Sequence, residues 1–225
     1  MLRDFYFFFI NPQVGEFPIY LNLNKSILLI TKMILFYYGL ALLTMALFLP
    51  ILKYLDLFPQ KGLRLSQIPL SFKLIFFIPI IEETVFRLSL KFSKQNIFLS
   101  LAALQFILLY HTYSLFVLII ISLTTALIPY MRLIPETFYS RLGLIWKNYF
   151  PLVYYGLAIC FGLVHLSNFQ NLRIAHYLLF PLIVSNQIIM GLIFGYVRVT
   201  FKNGFIYSIL LHFLINLPFF WIAHL

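Results

Sequence analysis

In Pro79-Ile80-Ile81-Glu82-Glu83-Thr84-Val85-Phe86-Arg87, two carboxylates and a guanidinium interrupt an apolar run over residues 68–90. On insertion scales each such group costs about 2.5–3.5 kcal/mol at the centre of a membrane helix. A chain that carries three of them so close together must surround them with protein, water or one another. Glu83 and Arg87 are four apart, share a helix face and can pair. Glu82 is turned about 100° from Glu83. It is left without a partner on its own helix, free to point into a cavity and act as a base. The bland alternative is a structural ion pair that locks this helix against a neighbour.

Two further polar insertions fall within apolar runs. One is Cys160-Phe161-Gly162-Leu163-Val164-His165-Leu166-Ser167-Asn168, and the other is Leu210-Leu211-His212-Phe213-Leu214-Ile215-Asn216-Leu217. His212 and Asn216 share a face, as do Phe161 and His165. A lone intramembrane histidine is ordinarily a packing residue bonded to a carbonyl. Two of them, in a chain that also holds a Glu pair, point to one interior cavity. A glutamate, two histidines and an asparagine in such a cavity can hydrolyse a peptide bond. The carboxylate takes a proton from water, an imidazole positions the water or protonates the leaving amine, and Asn and His donors hold the oxyanion. The same atoms allow a zinc site of two histidines and one carboxylate with an open position for water. No His-Glu-x-x-His run is present.

The chain that must position these groups has 225 residues, 63% hydrophobic and 10% charged. A soluble domain of this size does not carry so much apolar surface. The expectation is one integral-membrane domain over residues 1–225, an all-α polytopic bundle of about seven spans around a polar cavity. The runs at 26–49, 68–90, 97–110, 114–131, 150–166, 175–197 and 205–223 supply the spans. The chemistry rests on 68–90, 150–166 and 205–223. Pro79 is expected to kink its span and open room for water beside Glu82. Residues 97–131 read as two tilted spans turning at His111-Thr112-Tyr113, with a re-entrant hairpin as the rival. Residues 132–149, with Arg132, Pro135, Arg141 and Lys147, read as a polar loop. Residues 1–25 read as an aromatic segment in the membrane interface. Their apolar part is too short for a signal peptide, includes Asp4 and lacks a small-residue cleavage site.

Net charge is +10. In a soluble protein that would suggest nucleic acid. Here the basic residues fall mainly between apolar runs, so membrane lipid is the expected partner and nucleic acid is not. With alternating spans one side collects Arg3, Lys25, Lys91, Lys94, Arg132, Arg141, Lys147, Arg198 and Lys202. The other has Lys53, Lys61, Arg64 and Arg173. The positive-inside rule then places the N-terminus in the cytoplasm of a multi-pass protein of the cell membrane. Cys160 has no partner for a disulfide and reads as a small packing residue. Gln105, His111, Asn186 and Gln187 can bond across helices, and Gly191 and Gly195 permit close helix packing.

Glu82-Glu83-x-x-x-Arg87, Phe161-x-x-x-His165 and His212-x-x-x-Asn216, in this order and each within a span, resemble the three motifs of the CPBP family. These are the type II CAAX prenyl endopeptidases with bacteriocin-processing and immunity relatives. The resemblance covers roughly the second to the seventh span. It implies an intramembrane endopeptidase of the glutamic type with no metal cofactor, acting on a hydrophobic or membrane-associated peptide. It implies that Glu82 is the general base, that His165 assists, that His212 and Asn216 build the oxyanion site, and that Glu83 and Arg87 support the first motif. The stretch from Arg87 to His165 is long for the family. His165 also lies near the far end of its span, whereas Glu82 lies toward the Lys91 side, a depth mismatch of several ångströms. Asn168, three residues on, is expected to orient His165. Two other classes stay open. One is a proton- or cation-coupled transporter subunit using the same ionisable groups. The other is a non-catalytic membrane or immunity scaffold that keeps them for packing.

Overall fold

The structure is a computed structural model. It describes residues 2–15, 18–54, 72–109, 112, 114–131, 134–169, 172 and 174–222. Ten α-helices follow one another among these residues: α1 (Leu2–Ile10), α2 (Leu23–Tyr54), α3 (Phe72–Phe86), α4 (Lys94–Leu109), α5 (Leu115–Leu127), α6 (Glu136–Asn148), α7 (Phe150–Val164), α8 (Phe180–Ile183), α9 (Ser185–Thr200) and α10 (Gly204–Ile222). The described residues form no strand. A single parallel bridge joins Ile19 to Phe201. The fold is all-α, as the composition required.

Two helical stretches are long and apolar enough to cross a membrane, Leu23–Tyr54 and Phe150–Asn168. A third crosses if the bent pair His176–Ile183 and Ser185–Thr200 is one span. The apolar run at 175–197, expected as one span, is bent rather than continuous. Val184 interrupts it and its halves meet at 50°. Pro181 opens the short α8, where its missing N–H does no harm. Pro79 behaves differently. It is buried inside α3, which runs on as α-helix from Phe72 to Phe86. Residues 97–131 form two helices, α4 and α5, joined by the hydrogen bond from Thr125 Oγ1 to Gln105 Oε1 at 2.7 Å. Tyr110, His111 and Tyr113, at the turn between them, lie outside the described residues, as does the start of the 68–90 run.

The polar loop expected at 132–149 is instead largely helix. α6 alternates Glu136, Arg141 and Lys147 with Phe138, Tyr139, Leu144 and Ile145. That spacing makes one charged and one apolar face, and Tyr139 is buried on the latter. The Glu136 carboxylate pairs with Lys94 at the start of α4, and the Lys94 ammonium sits 4.5 Å from the centre of the Tyr139 ring. α1 docks on the bundle as well as exposing aromatics. Phe5 and Phe8 each meet the Tyr196 ring edge-on at 5.2 Å, while Tyr6, Phe7 and Ile10 stay exposed.

α9 is the axis of the molecule. Its residues from Ile193 to Val199 are all buried, so it presents no solvent or lipid face there. α7 lies against it at backbone distance. A Cβ on Gly191 would fall 3.0 Å from Ala158 Cα, and one on Gly195 would fall 2.7 Å from the Tyr154 ring. The pair of small residues thus sets the approach of the two helices. Tyr154 completes the contact by donating to Leu192 O at 2.6 Å. Cys160, expected to pack inside, is exposed on the opposite face of α7 from Ala158 and Phe161. α2 is mostly exposed, and its buried residues Ser26, Leu29, Met33, Tyr37 and Ala41 follow one stripe. Polar bonds hold that stripe in place: Ser26 Oγ with Tyr207 Oη at 2.7 Å, Tyr38 Oη to Ile215 O at 3.0 Å, and Thr44 Oγ1 to Asn186 Oδ1 at 2.6 Å.

Gly191→Leu is expected to destabilise the protein by about 1–3 kcal/mol, because the Ala158 backbone cannot retreat from the added side chain. Thermal unfolding in detergent measures this. Cys160→Ser, on the exposed face, should leave the same midpoint unchanged.

Candidate active site

The second helix of the sequence pattern, α3, and the last one, α10, meet at depth and bring three ionisable groups together. His212 Nδ1 lies 3.0 Å from Glu83 Oε1, and His212 Nε2 lies 3.3 Å from Glu82 Oε2. Consecutive glutamates on one helix therefore clasp both ring nitrogens of one histidine on another. The i,i+4 pair expected within α3 is present, with Arg87 Nε 3.6 Å from Glu83 Oε2. Glu82 does not lack a partner: its partner is His212.

His212 Nδ1 hydrogen-bonds Glu83 Oε1, and a carboxylate only accepts, so Nδ1 carries the proton. His212 Nε2 faces Glu82 Oε2 at ion-pair distance. Arg87 stands on the other side of Glu83, so the buried carboxylate lies between a donor and a cation, as a low-dielectric interior requires.

Arg87 is held by more than its carboxylate. Its guanidinium carbon lies 3.9 Å from the centre of the Phe161 ring, with Phe194 at 5.6 Å and Phe86 at 5.8 Å. Cation–π attraction is strongest where the cation is desolvated, and Arg87 is 1% exposed. Its three nitrogens make no hydrogen bond that meets normal geometry among the described residues, and neither does Glu83 Oε2. Charge and ring contact, more than directed bonds, hold this cation. Phe161 also meets His212 edge-on at 5.9 Å.

The end of α3 is anchored by a residue whose role the sequence did not reveal. Arg198, counted in the sequence among the basic residues of one side, lies in the last turns of α9 and is 7% exposed. It donates from Nε to Arg87 O and from Nη2 to Leu88 O, both at 3.2 Å. These carbonyls belong to the 3-10 turn that follows α3, so Arg198 fastens the exit of that helix. Lys91 Nζ donates to Phe201 O at 3.0 Å, and Ser100 Oγ of α4 donates to Thr84 O at 2.8 Å. Burial of a cation at the end of an apolar run was the available signal for Arg198.

The remaining predicted residues stand apart. His165 opens a 3-10 turn after α7, and its Nδ1 lies 2.8 Å from Phe161 O. A carbonyl only accepts, so Nδ1 carries the proton and Nε2 presents a lone pair. Its ring packs on Phe161 at 4.8 Å. Among the described residues no hydrogen bond or ion pair joins His165 to Glu82, Glu83 or His212, and none joins it to Asn168. Its link to the cluster runs through the Phe161 ring. Asn216 is half-buried one turn along α10 from His212 and makes no hydrogen bond to the cluster. The zinc set of two histidines and a carboxylate is not gathered. Among the described residues no three His, Cys, Asp or Glu side chains form a group able to hold a metal ion.

Exposure separates the two carboxylates. Glu83 is 0% exposed and Glu82 is 20% exposed. Solvent or a substrate reaches this cluster through Glu82. Glu83→Gln is expected to cost about 3–5 kcal/mol, since it leaves the Arg87 charge buried without its partner. Glu82→Gln should cost about 1 kcal/mol or less, because its carboxyl is partly solvated and the amide can still bond His212. Thermal unfolding of the two purified variants in detergent compares them directly.

Comparison with family models, with curated proteins and with solved structures finds no match to this chain. The function of the site is therefore argued from its own geometry.

Proposed function

We propose that the protein is an intramembrane endopeptidase that hydrolyses a peptide bond with a glutamate-activated water, in the manner of the CPBP proteases. The observation that carries this reading is the clasp of Glu82 and Glu83 on His212, with Glu82 alone accessible. Glu82 takes a proton from water as its oxygen attacks the scissile carbonyl. His212, 3.3 Å away, relays that proton to the leaving amine as the C–N bond breaks. Glu83 stabilises the imidazolium that forms meanwhile, as a buried carboxylate behind a histidine does elsewhere. The resemblance assigns His212 to the oxyanion site. Both its nitrogens are engaged by carboxylates, so Asn216, one turn on, is the better donor for the oxyanion. The resemblance gives His165 an assisting role; its ring meets the clasp only across Phe161, so no proton step is assigned to it. Glu83 and Arg87 serve the site as a buried ion pair behind His212.

The bundle is read as having about seven spans, with α3 to α5 and α10 crossing beside the longer helices and a cytoplasmic N-terminus. A hydrophobic or membrane-associated peptide enters from the side or from the cytoplasmic face. No metal is assigned to the reaction.

A proton path uses the same groups. Against it stands the closed end of the cluster, where Glu83 and Arg87 are buried beneath Phe86, Phe161 and Phe194. A relay needs an exit, and an enzyme needs one open side. A scaffold would keep the cluster only to fasten α3, α7 and α10.

Glu82→Gln is expected to lower peptide cleavage by about 10²-fold or more while the variant stays folded in detergent. Peptide cleavage equal to that of the unaltered protein would remove the general base from the mechanism. In liposomes, proton flux that disappears in the same variant would favour the transporter instead. Cleavage is expected to survive treatment with a divalent-metal chelator, checked together with elemental analysis of the active protein.

A further inference from the structure

A cavity of about 660 Å³ opens at the end of the bundle where the basic residues gather. It lies between the segment after α1 (Asn11, Gln13), the α3–α4 connection (Lys91, Phe92) and the α6–α7 corner (Trp146, Lys147). Neither Glu82, Glu83 nor His212 lines it, so it is separate from the clasped cluster.

Its chemistry is that of an anion site. Two lysines contribute, and no acidic side chain is among the described lining residues. Lys91 spends one donor on Phe201 O at 3.0 Å. An ammonium has three, so two remain. Burial, aided by the Arg198 cation, pushes the Lys91 ammonium down to about 8, a cost that a bound anion would offset. Phe92 and Trp146 supply an apolar wall.

We propose that this cavity binds a phosphate-bearing anion through Lys91 and Lys147. The same chemistry fits the headgroup of an anionic phospholipid and a soluble phosphate compound. The surroundings favour the lipid. α6 is amphipathic with exposed Phe138, Leu144 and Ile145, as suits a helix at a membrane surface. Clustered lysines and arginines near such a surface attract anionic headgroups.

The test uses the full chain in detergent carrying Trp221→Phe, so that Trp146 is the sole tryptophan. Its fluorescence is followed on addition of inorganic phosphate, of phosphatidylglycerol in mixed micelles, or of phosphatidylcholine as control. Native mass spectrometry measures the lipid retained. Saturable binding of phosphatidylglycerol over phosphatidylcholine is expected. Lys147→Glu should weaken it about tenfold or more and Lys147→Arg by no more than about threefold. Lys147 is exposed, so both variants should keep the parent's unfolding midpoint. A response to phosphatidylglycerol alone assigns the lipid headgroup, and one to inorganic phosphate as well assigns the phosphate group itself. No saturable response to either anion by fluorescence or mass spectrometry overturns the proposal. So does binding that Lys147→Glu leaves unchanged.

Discussion

Everything in this molecule is arranged around the difficulty of keeping charge where water is scarce. Glu82, Glu83, His212 and Arg87 meet that constraint collectively, because the sealed carboxylate of Glu83 has the His212 N–H on one side and the Arg87 cation on the other, while Glu82 faces the same imidazole. The arrangement binds three helices. Glu82, Glu83 and Arg87 come from α3 and His212 from α10. Phe161, the ring beneath the guanidinium, comes from α7. Removing any one group leaves another charge uncompensated, which is why burial of such clusters is costly to disturb.

The packing around the cluster is the means by which it is positioned. α9 is buried on all sides over its last turns and serves as the post against which α7 is set by Gly191 and Gly195. Phe194 of the same helix contacts both His212 at 5.3 Å and Arg87 at 5.6 Å. Arg198, one turn further, grips the carbonyls of the turn that follows α3. One helix thus sets the rotation of the glutamates, the depth of the histidine and the floor of the cation. The geometry is asymmetric as a result. Glu83 is sealed, and Glu82 keeps a fifth of its surface open.

The N-terminal segment, the α3–α4 connection and the end of α9 meet at one end of the bundle, where Lys91 donates to Phe201 O, Ile19 bridges to Phe201 and Lys94 pairs with Glu136. The amphipathic α6 lies at this end. Its charges at positions 136, 141 and 147, with Pro135 just before, resemble a loop when scored by polarity alone. They read as a helix only when the apolar residues between them are set at a period of 3.6.

Composition and hydropathy were enough to establish an all-helical membrane protein, because each apolar run must satisfy its own backbone in lipid. Spacing along one helix was enough for the Glu83–Arg87 pair and for the small-residue face of α9, since both depend only on the turn of the helix. Between helices the sequence had no such ruler. It left Glu82 without a partner and joined it to His165, yet tertiary packing turned His212 onto both carboxylates and bonded His165 to the carbonyl of its own Phe161. It drew residues 175–197 as one span without marking the 50° bend at Val184. Depth, rotation and bending of a helix are decided by what it packs against, and no residue records its neighbours in the fold by its place in the chain.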